Sequence, residues 1–179
     1  MGINQHNVEF RFCPACGGAL KTSVLKPNEP PRLVCGACEF IFYLDPKVVV
    51  CTILEMDGKI LLLKRGINPQ KGKWVMPGGY VDRNEEVKAA AIRETQEESG
   101  LKISIGELVG VYSYPGNLTV VIVYTSQYLA GELLPKDETL EAKWFPKEEI
   151  PWDKLAFQST MDALKDYCKI HKASSASLR

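Results

Sequence analysis

Three glutamates near the middle of the chain, Glu94, Glu97 and Glu98, are spaced i, i+3, i+4, which on a helix puts them on one face. Like charges so placed repel one another, by roughly tenths of a kcal/mol per exposed pair and by more where water is excluded. A divalent cation relieves that repulsion. Magnesium is hard, prefers oxygen ligands, and keeps positions for water and phosphate oxygens. The cluster thus reads either as a solvated acidic face or as a metal and phosphate site. Its surroundings favour the second reading. Gly78-Gly79 precede the helix and let bare backbone approach a ligand. Arg93 stands directly before the first glutamate. Glu85 lies eight residues before Arg93, a little over two turns, within reach of an ion pair that braces the helix.

A second constellation is made of cysteines. Four of the six form two pairs, Cys13-Pro-Ala-Cys16 and Cys35-Gly-Ala-Cys38, with eighteen residues between them. Two C-x2-C pairs at this spacing are the pattern of a zinc ribbon. Four thiolates at about 2.3 Å complete a tetrahedral zinc and leave no open position, so such an ion folds the chain and does no chemistry. The competing readings are a redox pair, which would sit beside a βαβ pattern that is missing here, and disulfides, which need an oxidising compartment. Cys51, in an apolar run, and Cys168, near a helix end, read as packed thiols. From Met1 to Pro46, Arg11, Lys21, Lys26 and Arg32 balance Glu9, Glu29, Glu39 and Asp45, so no basic stripe is present and no nucleic-acid partner is expected.

The elements that must position these groups can be read from patterning. Pro27 to Pro31 is a loop between the cysteine pairs, and Asp45-Pro46 a seam. Lys47–Met56 and Lys59–Arg65, joined by Asp57-Gly58, read as a hairpin, and Ile67 to Lys73 as a loop. Glu85 to Ser99 reads as a helix, with Asp82 and Glu85 as a capping box or Asn84 as an alternative cap. Gly100 supplies its C′ residue, and Val87, Ala90, Ala91 and Ile92 its apolar stripe. Leu101–Val111, Leu118–Leu129 and Leu140–Phe145 read as strands. A last helix is expected from about Asp153 to Lys169, with Leu155, Leu164 and Tyr167 inward, then a frayed tail. The irregular alternation of strands and helices predicts an α/β fold with a mixed sheet flanked by helices.

Composition excludes several classes. The chain has 179 residues, 22 basic and 22 acidic side chains, zero net charge and 45% hydrophobic residues, which suits a globular protein and argues against disorder. The longest apolar stretch, Val48 to Leu54, is far shorter than the roughly 20 residues that span a bilayer. No basic region followed by an apolar stretch opens the sequence, so a cytoplasmic protein without membrane partners is expected.

Gly79, Glu85, Arg93, Glu94, Glu97, Glu98, Gly100 and Leu101 together resemble the Nudix box, G-x5-E-x7-R-E-U-x-E-E-x-G-U with U apolar. Thr95 departs at the first U, with little consequence expected. The run Gly72-Lys73-Trp74-Val75-Met76-Pro77-Gly78-Gly79 is similar to the family's approach to the box, and the likeness covers about Lys47 to Lys169. The resemblance implies an α/β/α sandwich, here preceded by a small zinc ribbon, that hydrolyses a nucleoside diphosphate linked to another group. The expected organisation is a ribbon over 1–46, a Nudix domain over 47–170 and a flexible tail over 171–179.

The resemblance further implies that Glu94, Glu97, Glu98 and the backbone carbonyl of Gly78 bind magnesium or manganese, while Arg93 and Glu85 orient the helix. Such ions neutralise the diphosphate and activate a water for in-line attack on phosphorus. In many members a carboxylate beyond the box acts as general base. Glu138, six residues before Trp144, has a similar position; Glu141 and Asp137 are alternatives, and all three also read as ordinary loop acids.

A zinc ribbon ahead of the box is similar to the NADH pyrophosphatases, but Val111-Tyr112-Ser113-Tyr114-Pro115-Gly116-Asn117 replaces their Ser-Gln-Pro-Trp-Pro-Phe-Pro-like motif. Pro115, fifteen residues beyond Gly100, resembles the marker of ADP-ribose pyrophosphatases. The whole chain resembles the zinc-ribbon subgroup that includes ADP-ribose/FAD pyrophosphatases. The implied reaction is cleavage of FAD to FMN and AMP, or of ADP-ribose to ribose 5-phosphate and AMP, by a homodimer. The alternatives are an NADH pyrophosphatase and a ligand sensor without turnover. Tyr80, Tyr112 and Tyr114 could stack on a base or flavin ring or serve only as packing. Lys64 and Arg65 could touch phosphate or simply end an exposed hairpin. Trp74 reads as structural, and His6 and His171 as uninvolved.

Overall fold

The computed structural model describes residues 10–176, so His6, the side chain of His171 and the last three residues lie outside the described residues. The chain folds as two compact units, Met1–Pro46 and Lys47–Arg179.

In the first unit, β1 (Leu20–Ser23), β2 (Arg32–Cys35) and β3 (Ile41–Phe42) form a three-stranded antiparallel sheet in that order. Each cysteine pair sits on a tight turn. The N–H of Gly17 donates to the Cys13 carbonyl at 2.9 Å, and that of Glu39 to the Cys35 carbonyl at 3.1 Å. Among the described residues, Cys13 and Cys35 are the only buried apolar side chains of this unit. So small a core cannot hold the unit by itself, and a cross-link through its sulfurs is what its size requires.

The second unit is built on β4 (Lys47–Met56), β5 (Lys59–Arg65), β6 (Trp74–Val75), β7 (Gly78–Tyr80), β8 (Lys102–Tyr112), β9 (Thr119–Ala130) and β10 (Thr139–Pro146). The main path is β10-β5-β4-β9-β8, with β6 beside β5 and β7 beside β4. The β4–β9 pair is parallel and the others antiparallel, the mixed sheet expected from the sequence. Asp57 and Gly58 both have positive φ, 52° and 73°, as the two-residue hairpin turn needs. Alternation along β4 sends Val50, Thr52 and Leu54 towards helix α1 (Val87–Ser99), and Val49, Cys51 and Ile53 towards helix α2 (Gln158–Ala176). The result is the α/β/α sandwich.

Several expectations need correction. Helix α1 starts at Val87, not Glu85, and its N-cap Glu86 makes no side-chain capping bond. Only half of the capping box forms: Glu85 accepts from the Asp82 N–H at 3.0 Å, while Asn84 sits in a turn at φ 68°. The inner face of α1 is Ala90, Ala91, Thr95 and Ser99; Ile92 points outward. Leu155 is buried but precedes α2, after a 3-10 turn over Trp152–Lys154. Helix α2 continues to Ala176, past Lys169 where the last helix was expected to end. The short strands β6 and β7 were not expected, and β7 contains the Gly78-Gly79 pair that precedes the helix.

Candidate active site

Arg93 is the hub of the box. Its Nε and Nη2 donate to the two carboxylate oxygens of Glu85 at 2.8 and 2.9 Å. Nη2 also donates to the Tyr80 carbonyl at 3.1 Å, tying α1 to β7. Nη1 donates to Glu94 at 2.7 Å and to Glu97 at 3.0 Å. The Arg93 bonds, with the Asp82 N–H, hold the Glu85 carboxyl down to about 2.

β7 supplies the backbone wall against which the other acids pack. Its register with β4 is Val49–Tyr80, Val50–Gly79 and Cys51–Gly78. A side chain at Gly79 would collide with the Glu94 carboxylate, and one at Gly78 with the backbone of Val50 and Cys51. The Gly78 N–H donates to Glu98 at 2.8 Å. Glu98 is pushed up to about 7, chiefly by burial. The Gly78 N–H and the charge of Arg65 lower it, whereas Glu94 and Glu138 raise it further. Burial also raises Glu94 against the pull of Arg93. Cys51, next to Gly78 in register, is pushed up to about 12 by burial and by the charges of Glu98 and Glu94, which makes it an inert packed thiol.

The segment after β9 folds back onto the end of α1. The N–H groups of Leu134 and Lys136 donate to the carbonyls of Ser99 and Glu98, and the Gly66 N–H takes the Glu138 carbonyl. Glu138 is thereby placed close enough for its charge to be felt at Glu98, and it makes no ion pair among the described residues. Glu141 is engaged elsewhere, accepting from Lys64 at 3.2 Å. Asp137 lies in a groove along the outer face of α1 with Lys136, Arg93 and Glu97.

The tyrosines divide. Tyr80 is half exposed on β7. Tyr112 and Tyr114 line a 320 Å³ cleft against α2, whose lining does not include the glutamate cluster. Their hydroxyls donate to Asp166 at 3.2 Å and to Asp162 at 2.7 Å. Pro115 is in the exposed turn that follows. Register nevertheless puts Tyr80, Val49, Val121 and Tyr112 in one row across four strands.

In the first unit the four cysteine sulfurs all lie within 4.8 Å of one another, with Cys13–Cys38 at 3.8 Å and Cys16–Cys35 at 3.5 Å. These are not disulfide lengths. A tetrahedral ion with bonds of about 2.3 Å sets its sulfurs about 3.8 Å apart, so the cluster fits one zinc. Backbone N–H groups of Ala15, Gly18 and Ala37 point at Cys13, Cys16 and Cys35, each at 3.4 Å. Such bonds, from Ala37 and Cys38, hold the Cys35 thiol down to about 6.

A NUDIX domain model matches residues 44–165. The chain belongs to the Nudix family. A Nudix N-terminal zinc-ribbon model matches residues 11–44. An ADP-ribose pyrophosphatase of Methanocaldococcus jannaschii is 40% identical over 135 residues, covering 73% of this chain and 78% of that protein. An NAD-capped RNA hydrolase of Vibrio vulnificus is 28% identical over 144 residues; the chain spans about half its length, 53%. A Nudix hydrolase crystal structure from Nitrosomonas europaea superposes with a TM-score of 0.84 at 38% identity, covering 89% of this chain and 91% of that one. The protein is a Nudix hydrolase.

Within this Nudix site the donors are hard carboxylate oxygens, the chemistry a divalent ion requires. Burial first, and the neighbouring acids after it, raise Glu94 and Glu98, and a cation would stabilise their charged forms. The oxygens do not yet converge as the sulfurs do. Among the described residues the cysteines are the one such cluster, because Glu94 and Glu97 are held by Arg93 and Glu98 by Gly78. Thr52 is a residue that sequence reasoning missed; its hydroxyl meets Thr95 inside the sheet–helix interface. A threonine in an apolar strand opposite a polar departure in the box was the available signal.

Proposed function

We propose that this Nudix hydrolase is a metal-dependent pyrophosphatase that cleaves the diphosphate of ADP-ribose or FAD and releases AMP. The observation that carries the reading is the pair Glu94 and Glu98, packed on the bare backbone of Gly79 and Gly78 and crowded enough to favour a cation. The similarity to an ADP-ribose pyrophosphatase supports the substrate class. Glu94, Glu97 and Glu98, with the Gly78 carbonyl, would hold magnesium or manganese. When bound, the ion neutralises the diphosphate and makes its water acidic.

The chain's own groups do the rest. Arg93 and Glu85 fix the azimuth of α1, so that the acids face β7. Glu138 takes the proton of the attacking water at its carboxylate; it is favoured over Glu141, which Lys64 occupies, and over Asp137, because the charge of Glu138 is the one felt at Glu98. Tyr80, with an exposed ring, and Tyr112, Tyr114 and Pro115 beside the α2 cleft, bind the groups flanking the diphosphate. The four cysteines hold a structural zinc. The reading includes a cytoplasmic homodimer, in which the thiols stay reduced; light scattering tests the dimer.

A second reading, cleavage of NADH or of an NAD cap on RNA, is favoured by the likeness to the NAD-capped RNA hydrolases. Product analysis separates the two. Purified protein with magnesium or manganese is given ADP-ribose, FAD, NADH or NAD-capped RNA, and products are resolved by chromatography. Fastest release of AMP with ribose 5-phosphate or FMN supports the first reading. Fastest release of NMNH or of decapped RNA replaces it with the second. Ligand-raised Tm without turnover of any substrate would identify a sensor.

A further inference from the structure

Arg65 closes β5 on the α1 side of the sheet, in alternation with Leu61 and Leu63, which pack with Leu54 and Leu101. Its backbone is fixed along the edge that faces the segment leading into β6: its N–H donates to the Lys73 carbonyl at 2.9 Å, and its carbonyl accepts from Gly72 at 2.8 Å. Its side chain is fixed as well. Nε donates to the Pro69 carbonyl at 2.9 Å, and the guanidinium lies 5.0 Å from the centre of the Phe157 ring. These contacts use one of five N–H donors and one face of the plane. Among the described residues the donors on Nη1 and Nη2 have no acceptor, and Arg65 makes no ion pair.

Its neighbours make that arrangement unusual. Gly66, the next residue, holds the Glu138 carbonyl, and a side chain there would strike it, so the end of β5 and the turn that leads into β10 bring Arg65 and Glu138 close together. Glu85, Glu94 and Glu97 all take Arg93, and none takes Arg65. A stiffly held guanidinium, its fork unused and acids near it but not paired, suits an oxyanion that arrives with the ligand.

We infer that Arg65 is a further catalytic residue, which grips the substrate's diphosphate through Nη1 and Nη2 and stabilises the phosphate that departs. The inference rests on the diphosphate-hydrolysis reading. In that reaction water oxygen bonds to one phosphorus and Glu138 takes the water proton. The bond from that phosphorus to the bridging oxygen breaks, and the other phosphate leaves with that oxygen and the electron pair. Negative charge grows on the departing phosphate, where a fixed guanidinium is worth most.

The test uses the full chain with R65M, which keeps the apolar stem, and R65K, which keeps the charge without the fork. Calorimetry measures binding of methylenediphosphonate, a diphosphate without a bridging oxygen to cleave, in the presence of magnesium. AMP release is measured with the substrate that wild type cleaves fastest. R65M is expected to bind about 10-fold more weakly or worse, and to lose about 100-fold in kcat/KM. R65K should fall between, Tm should be unchanged, and added guanidinium should restore part of the R65M activity. R65M within about threefold of wild type in binding and kcat/KM overturns the inference. If R65M does not fold, R65K with wild-type Tm, affinity and kcat/KM overturns it equally. Wild type that binds the diphosphonate through Arg65 yet cleaves nothing keeps the diphosphate grip, overturns the catalytic role of Arg65 and removes the proposed function. Wild type that binds no diphosphonate overturns both.

Discussion

The Thr52 hydroxyl donates to Thr95 Oγ1 across 2.9 Å, between two fully buried residues. The direction follows from the other bond of Thr95, whose own proton goes to the Ala91 carbonyl at 2.8 Å. Thr95 therefore receives while Thr52 gives, and β4 is tied to the inner face of α1. The polar departure in the box is matched by a polar partner on the strand beneath it.

The two threonines are accordingly unequal. T95V strands the buried Thr52 hydroxyl and should cost about 1–3 kcal/mol. T52V leaves Thr95 still donating to Ala91 and should cost less than about 1 kcal/mol. The double variant T52V/T95V should recover most of the T95V loss. Urea unfolding of the four proteins closes the cycle; equal single losses that add in the double variant would contradict this assignment.

Under the proposed function Glu98 would link metal loading to pH. Its folded value of about 7 lies above the ordinary carboxylate value, so the folded state holds the extra proton between about pH 4.5 and 7. Metal-free stability therefore declines as pH rises through that window. E98Q, which keeps an acceptor for Gly78, should make the metal-free protein about 1–3 kcal/mol more stable at pH 8 and unchanged at pH 4.5. It should lower metal-dependent kcat by about 100-fold or more. Thermal melts at both pH values and a turnover assay check the two halves.

Glu85 runs the other way. Its carboxyl is held down to about 2, so its contribution is complete above the ordinary carboxylate range and fades as pH falls through about 2. E85Q should have a lower Tm than wild type at pH 7, and the gap should close towards pH 2. A constant gap across that range would mean that Arg93 is not the cause.

Among the loop acids, E138Q should lower kcat by about 100-fold or more with little change in KM, the size of a lost general base. E141Q and D137N should leave kcat near that of wild type. A larger loss in E141Q than in E138Q would transfer the role.

Protein purified without chelator should carry about one zinc per chain. C16S should abolish it. Limited proteolysis should then cut within residues 10–46 and leave the Lys47–Arg179 unit intact. A zinc-free wild type with the same protease resistance would rule the metal out as the source of order.

Much of the site was readable because side-chain chemistry announced it: paired cysteines, an i, i+3, i+4 acid cluster, and an Asp-Gly turn between Val- and Leu-rich strands. What escaped lacked such a signal. β7 is largely glycine, so no alternation marks it as a strand. The start of α1 moved because Arg93 and the Asp82 N–H claim the Glu85 side chain and Asn84 turns left-handed, leaving the helix to begin two residues later. Ile92 looked like core, but Thr95 and Ser99 take the inner face, where their hydroxyls return to backbone carbonyls of their own helix. Arg65 could not be separated from an ordinary strand end until the Pro69 carbonyl and the Phe157 ring were seen to hold it.

The bridging of Glu94 and Glu97 by Arg93 bears on how the enzyme acquires its ion. A tethered cation already bridges the two carboxylates, so under the proposed function metal loading would be an exchange of counter-ions and not the filling of a void. Net affinity is then the difference between two attractions. The Arg93 bonds would keep the site in shape while it holds no ion.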